Sequence, residues 1–317
     1  MSNLLTKITI VGGGTAGWMT ALVLDTMFAK SGDKAKRPQI NVIESPNIGT
    51  VGVGEATVPR MPLTIREAGI SERDFFRETN ASFKLGVKFC NWNHDAAGKP
   101  IDYMNPFGHG PALEDVDAAE YFHQFGNGDR DFVQSVTPHD DLSRLCKGAR
   151  ELGAPAFDNR FGYAYHLDAV KFAGMLTKVC TKRGVKHIQD EVVSVHKDEG
   201  GNISHLILEK GGQHDIELVI DCTGFRGLFI NQALGEPFLD YSEYLPNDRA
   251  MALQVKHPDP EKIESATRST ALGAGWTWRV PLFNRVGTGY VYSSRHRTDE
   301  QARDEYMEWL GESGKDG

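Results

Sequence analysis

None of the four cysteines, Cys90, Cys146, Cys180 and Cys222, stands in a CxxC spacing, so the sequence offers neither a zinc ribbon nor a redox dithiol. Isolated thiols fit a reduced, cytoplasmic setting. Long apolar runs are missing as well. The first, Ile8 to Val11, is too short for a signal-peptide core or a membrane span, and glycines end it at once. Positive charge is in deficit: 35 Lys plus Arg stand against 43 Asp plus Glu, a net charge of -8 with no basic stripe. That excludes sequence-independent binding to nucleic-acid backbones, which needs clustered cations. There is no repeat or low-complexity tract, and with 40% hydrophobic and 25% charged residues the chain is not built for disorder. Its 317 residues allow two domains of roughly 150 residues each, or one large α/β unit.

What is present starts close to the N-terminus. Ile8-Thr9-Ile10-Val11, rich in β-branched residues, predicts a buried strand running into Gly12-Gly13-Gly14-Thr15-Ala16-Gly17, with a helix from Trp18. Ile40-Asn41-Val42-Ile43 predicts a second strand that ends at Glu44 and completes a βαβ unit. Gly12, Gly14 and Gly17 have the G-x-G-x-x-G spacing of a dinucleotide site. The first permits the tight turn, the second admits a pyrophosphate against the backbone, and the third lets helix pack on strand. The helix N-terminus presents unpaired N–H groups to the phosphates. Glu44 is placed to accept the ribose hydroxyls and to repel a 2′-phosphate. The pattern predicts a dinucleotide without separating FAD from NAD.

Beyond this unit, Ile48 to Pro59 is punctuated by glycines and reads as a functional loop. Residues 60–81 predict helices, and Phe83 to Trp92 a strand carrying Lys84 and Lys88. From Asn93 to Pro155 no period persists, which suits a substrate region. Leu167 to Lys182 predicts a helix, and Asp168 suits its N-terminus better than a metal site or triad with His166, because no third ligand or nucleophile accompanies the pair. A β-rich block follows from Val185 to Cys222, with a turn at Glu199-Gly200-Gly201-Asn202. Ala271 to Ser294 predicts two strands, Thr298 to Leu310 a helix, and residues 311–317 a polar tail.

Four segments taken together resemble the flavin-dependent tryptophan halogenase family. They are Val11-Gly12-Gly13-Gly14-Thr15-Ala16-Gly17-Trp18-Met19, Val51-Gly52-Val53-Gly54-Glu55-Ala56-Thr57-Val58-Pro59, Phe83-Lys84-Leu85-Gly86-Val87-Lys88-Phe89-Cys90-Asn91-Trp92 and Gly275-Trp276-Thr277-Trp278-Arg279-Val280-Pro281. They occur in family order along the whole chain. The last departs from the family's GWxWxIP only at Val280. Val219-Ile220-Asp221-Cys222-Thr223-Gly224-Phe225-Arg226-Gly227 also looks like the family's strand and turn before the flavin.

The resemblance implies an α/β protein with a Rossmann-like FAD-binding fold of the flavin monooxygenase and glutathione-reductase type and an inserted β-rich substrate region. Residues 1–92 and 160–235 would form the FAD module, 93–159 and 236–310 the substrate and cap segments, with 311–317 as tail. It implies that a separate reductase supplies FADH2, and that FADH2 and O2 convert chloride or bromide into hypohalous acid, which reaches an aromatic small molecule through a tunnel. Gly12, Gly13, Gly14, Thr15, Ala16, Gly17, Glu44, Glu55, Ala56, Thr57, Val192, Asp221 and Gly224 would bind the cofactor, with Ile48 to Pro59 as the flavin strap. Lys84 would be the catalytic lysine, either forming a chloramine or holding hypohalous acid by a hydrogen bond. Alone, a strand lysine is more often an exposed edge residue. Trp276, Trp278 and Pro281 would line the tunnel, the tryptophans keeping the substrate from the flavin; core packing is the plainer alternative.

Phe107 would stack on the substrate, and Asn105 stands where tryptophan-selective members carry histidine, which leaves tryptophan, other indoles, phenols and pyrroles open. The family's later glutamate segment, G-L-x-S-x-F-x-E-P-L-x-S-T-G, does not occur, so a C-terminally truncated fragment is expected. No metal, nucleic-acid or membrane partner is expected, and a homodimer is left open. The rival expectations are a flavin monooxygenase of the same fold, a non-catalytic FAD-binding remnant and an NAD-dependent dehydrogenase.

Overall fold

The computed structural model describes residues 4–32, 37–49, 52–108, 110–112, 114–126, 128, 130–158 and 160–313. In chain order the first elements are β1 (Lys7–Val11), α1 (Thr15–Lys30), β2 (Gln39–Glu44), β3 (Glu55–Ala56), α2 (Arg60–Glu67) and α3 (Glu72–Thr79). Then come β4 (Ser82–Lys84), β5 (Gly86–His94), β6 (Pro100–Pro106), α4 (Ala118–Phe125), α5 (Phe132–Val136), α6 (His139–Arg144), β7 (Ala164–Leu167) and α7 (Ala169–Lys182). The strands β8 (Lys186–Gln189), β9 (Val192–Lys197), β10 (Ile203–Leu208), β11 (Gly212–Asp215) and β12 (Leu218–Asp221) follow. The last are β13 (Arg249–Val255), β14 (Thr267–Leu272), β15 (Gly275–Pro281), β16 (Val286–Tyr292) and α8 (Asp299–Ser313). Two compact units result, Met1–Gly52 with Ala169–Asp240 and Val53–Asp168 with Tyr241–Gly317.

In the first unit a parallel sheet has the order β12-β1-β2-β8. Ile8 to Val11 are buried without alternation, as expected of a parallel strand covered on both faces. Helices α1 and α7 pack together, with Trp18 fully buried and the Cys180 thiol reaching its carbonyl. The antiparallel sheet β11-β10-β9 adds Val192, Leu206 and Leu208 to a core shared with Val11, Ile43, Leu228 and Phe229.

In the second unit a six-stranded sheet has the order β13-β16-β15-β14-β5-β6, parallel only between β14 and β5. A three-stranded sheet β3-β7-β4 accompanies it. Helix α8 covers β16 through Tyr290, Tyr292, Ala302, Tyr306 and Leu310. Among the described residues, no helix is long and apolar enough to cross a membrane.

Several local expectations change. Phe83 to Trp92 is two strands rather than one: Leu85 leaves the ladder, donating its N–H to Ser265 O at 2.7 Å and accepting from Phe107 N at 2.8 Å, so β4 and β5 join different sheets. Residues 53–92 pack in the second unit, because β3 and β4 pair with β7, and β5 pairs with β14. Residues 93–155 contain β6 and three short helices, α4 and α5 each starting at an Asp cap, Asp117 and Asp131. Gly311 to Ser313 extend α8, and residues 314–317 of the expected tail lie outside the described residues.

One buried carboxylate fastens α3 to β7. Glu72, 1% exposed, accepts hydrogen bonds from Tyr163 OH at 2.6 Å, Tyr165 OH at 2.7 Å and Phe157 N at 2.8 Å, and pairs with Arg150. Burial opposes its charge, but these donors outweigh burial and hold the carboxyl below its usual range. Removing the carboxylate strands a partly buried guanidinium and two phenols. Glu72→Ala is therefore expected to destabilise the fold by about 3–5 kcal/mol, the range for breaking a buried pair from one side. Urea denaturation should show this, with Glu72→Gln losing less because it keeps an acceptor.

Candidate active site

In the glycine turn of the first unit, Gly12, Gly13 and Gly17 have no room for a side chain. A Cβ at Gly12 would lie 2.1 Å from Cys222 O, and one at Gly17 would lie 1.8 Å from Gly12 O. Gly12 also has φ +121, which disfavours any L side chain. At Gly14 the space is open: a Cβ there meets nothing within 4 Å. Gly14 is the N-cap of α1 and no side chain caps the helix, so its first N–H groups, through Thr15, Ala16 and Gly17, face an uncapped end. Glu44 lies over the turn, its side chain 2.1 Å from where a Gly13 Cβ would sit, and one carboxylate oxygen accepts from His187 Nε2 at 2.7 Å. A bare cradle, an uncapped helix and an acid at the end of β2 fit the pyrophosphate and ribose of FAD.

Of the three remaining expected cofactor positions of this unit, Val192, Asp221 and Gly224, the first two also make structural contacts. Asp221 accepts from Thr223 N and Oγ1 at 3.0 and 2.6 Å, and from Phe229 and Ile230 N–H at 2.9 and 3.2 Å. Its carboxylate thus shapes the turn beginning at Gly224, where φ is +62. The Val192 side chain belongs to the core.

In the second unit Lys84 is 5% exposed. It stands opposite Ala164 at the end of β4, and its Nζ donates to Thr57 O at 3.0 Å and sits 5.1 Å from the centroid of the Phe107 ring. Among the described residues no carboxylate pairs with it, so burial alone pushes its pKa down to about 8. Thr57 is itself fixed: its N–H and hydroxyl both donate to Tyr165 O at 2.9 Å, and Tyr165 N returns a bond to its Oγ1 at 3.0 Å. Phe107 is fixed by the bond from its N–H to Leu85 O. His166, fully buried between Ser82 Oγ at 3.2 Å and Thr267 Oγ1 at 2.9 Å, is held neutral, first by burial and then by the charge of Lys84.

The strap shows partners that sequence reasoning missed. Arg285 donates to Val53 O at 2.8 Å and pairs with Asp168 at 2.9 Å, and a Cβ at Gly287 would lie 2.1 Å from Val53 O. Glycine inside a strand signals such a close backbone approach, and Gly287 and Gly289 in β16 carried that signal. Glu55 and Ala56 pair with Leu167 and His166; Thr50 and Val51 lie outside the described residues.

Trp276 and Trp278 share one sheet face, with ring centroids 6.3 Å apart, and Trp92 adds a third indole 6.5 Å from Trp276. A Cβ at Gly289 would lie 2.0 Å from Trp278 Cη2, so that glycine makes room for the indole. Pro281, buried at the end of β15, accepts from the Ser82 hydroxyl, two residues before Lys84. Asn105 is exposed on β6, opposite Val87.

Comparison with known proteins follows the same lines. Residues 7–316 match the family model for tryptophan halogenase. The chain is 38% identical to tryptophan 7-halogenase RebH of Lentzea aerocolonigenes, over 97% of this chain and 59% of that protein. It superposes with a TM-score of 0.90 and 38% identity on the solved tryptophan halogenase of Shewanella frigidimarina NCIMB 400, covering 98% of this chain and 60% of that one. A solved flavin-dependent halogenase from Xanthomonas campestris matches with a TM-score of 0.84 and 35% identity, over 96% of this chain and 59% of that one. The chain therefore spans about three-fifths of the length of these relatives. The Rossmann-like FAD-binding fold is shared with them.

The buried lysine carries a stability cost with a defined pH window. The folded chain binds this proton less tightly than the unfolded chain, whose lysine has its ordinary pKa, so stability rises with pH from about 8 towards 10.5. Below pH 8 the full cost of burial is present. Lys84→Met is thus expected to stabilise the protein at pH 7 by up to about 3 kcal/mol, at 1.36 kcal/mol per pKa unit. Thermal melts of both proteins across pH 6–10 should show the advantage shrinking above pH 8.

Proposed function

The chain belongs to the tryptophan halogenase family, and on that premise we propose that it carries the FAD-binding and lysine-bearing machinery of a halogenase that chlorinates or brominates an electron-rich aromatic, tryptophan or another indole. The observation that carries this is Lys84, a buried amine with no counter-ion among the described residues, aimed by a fixed carbonyl and a fixed aromatic ring. Reduced FAD, supplied by a separate reductase, together with O2 provides the oxidation that turns chloride or bromide into hypohalous acid.

The chain's own residues then hold and direct that oxidant. With a pKa of about 8, Lys84 is protonated in roughly nine molecules of ten at pH 7. Thr57 O takes one of its N–H groups, and the others are donors for the oxygen of hypohalous acid, which polarises the halogen towards an electron-rich ring. In the minor neutral form the nitrogen lone pair attacks halogen instead: the N–halogen bond forms, the O–halogen bond breaks, and the released hydroxide leaves as water with a proton from the amine. A substrate ring stacked on Phe107 would come within reach of Nζ, which sits 5.1 Å from that ring's centroid. Asn105, an exposed amide where tryptophan-selective relatives carry histidine, leaves the choice between tryptophan and another indole open. The paired Trp276 and Trp278 favour halogenation over direct oxygenation of the substrate by the flavin.

The test is an assay of the complete protein with FAD, a flavin reductase, NADH, O2, halide and an indole panel, read by product mass. Halide-dependent shifts are expected, and Lys84→Met should lower the rate at least about 100-fold while leaving FAD affinity unchanged. Undiminished halogenation by that variant would remove the role given to Lys84. Oxygenated product without halide would select the monooxygenase, and FAD binding with no turnover under any halide the non-catalytic flavoprotein.

A further inference from the structure

A cavity of about 390 Å³ in the same unit is lined by none of Lys84, Thr57 and Phe107. Lys88 on β5, Arg268 on β14 and Arg279 on β15 line it, and strand register explains their meeting: Lys88 stands opposite Arg268, and Arg268 opposite Arg279. Three cations in one cross-strand row repel one another unless something neutralises them. The acids of the cavity do so only in part. Glu264 pairs with Arg268 at 2.8 Å, Asp140 with Arg144 at 3.4 Å and Asp259 with Lys262 at 3.3 Å. Each acid is thereby matched to a cation. The side chains of Lys88 and Arg279 make neither an ion pair nor a hydrogen bond among the described residues.

Two further facts point to a missing acceptor. Ser143, 3% exposed, lines the cavity, and its hydroxyl has no hydrogen-bond partner among the described residues. Arg279 is partly buried, and burial lowers its pKa; Glu264 opposes that shift and Arg268 adds to it. Alternation along β15 puts Trp276 and Trp278 on one face of the sheet and Arg279 on the other, so the cavity lies behind the tryptophan pair.

We propose that this cavity binds a divalent oxyanion of the phosphate class. Two positive charges without an ion-pair partner among the described residues match a dianion. The planar guanidinium of Arg279 suits two oxygens of one phosphate, Lys88 supplies a point charge, and Ser143 a hydroxyl donor. A halide or a simple carboxylate leaves one of the two charges unmet. The chemistry is common to free phosphate and to a phosphate monoester.

Calorimetric titration of the 317-residue protein in low salt, with inorganic phosphate, phenyl phosphate, acetate and chloride as probes, tests this. Saturable 1:1 phosphate binding is expected, at least about tenfold tighter than acetate or chloride. Arg279→Met and Lys88→Met should each weaken it about tenfold or more, Arg279→Lys less than Arg279→Met, and Lys84→Met not at all. Thermal melts of each variant separate lost binding from lost fold, and Lys88→Met, with a partly exposed side chain, guards against a misfolded Arg279 variant. Phenyl phosphate binding as tightly as phosphate assigns a monoester, and its exclusion assigns the free anion; either upholds the oxyanion site. No saturable phosphate binding, or unchanged binding in folded Arg279→Met and Lys88→Met, overturns it.

Discussion

A buried ammonium with no counter-ion among the described residues is the constraint around which the second unit is organised. A buried charge is costly unless it is paired or hydrogen-bonded, and Lys84 has one carbonyl and one aromatic face to offset that cost. Each is held by further bonds. The Thr57 carbonyl is fixed because the threonine is bound three times over to Tyr165, and Tyr165 is fixed because its phenol donates to Glu72. The break at Leu85 ends β4 just past the lysine and also anchors Phe107. A paired carboxylate in place of this arrangement would have restored an ordinary ammonium.

The first unit meets a different requirement with different means. A pyrophosphate needs N–H donors and space, not a cation, and the uncapped N-terminus of α1 and the open side of Gly14 provide both. The acid at Glu44 stays oriented because His187 holds one of its oxygens. The glycine turn with Glu44 and the buried Lys84 thus belong to separate compact units, each with its own core.

How much of this was legible in the sequence depended on the range of the interactions. The strand, glycine turn, helix and second strand are local patterns, and they stand where periodicity put them, with α1 starting at Thr15 rather than Trp18 because Gly14 already acts as its cap. The common face of Trp276 and Trp278 follows from strand alternation alone. Lys84 could be picked out only through the motif around it, since nothing local distinguishes a buried strand lysine from an exposed one. Its surroundings come from Thr57 and Tyr165, and the strap's from Arg285, 232 residues beyond Val53. Glu72 was legible only as part of a helical stretch, because its partners lie 78 to 93 residues away. The split of Phe83 to Trp92 was hidden for the same reason: its β propensity is continuous, and the break is imposed by Ser265 and Phe107.

The central claim is that Lys84 is a desolvated amine with a lowered pKa. An NMR pH titration following the lysine 13Cε resonances, with the Lys84 signal assigned by its loss in Lys84→Met, tests it most directly. A Lys84 midpoint near 8, separated from the other lysines, is the expected result. A midpoint near 10.5 with the rest would contradict the account, since the side chain would then be an ordinary solvated ammonium.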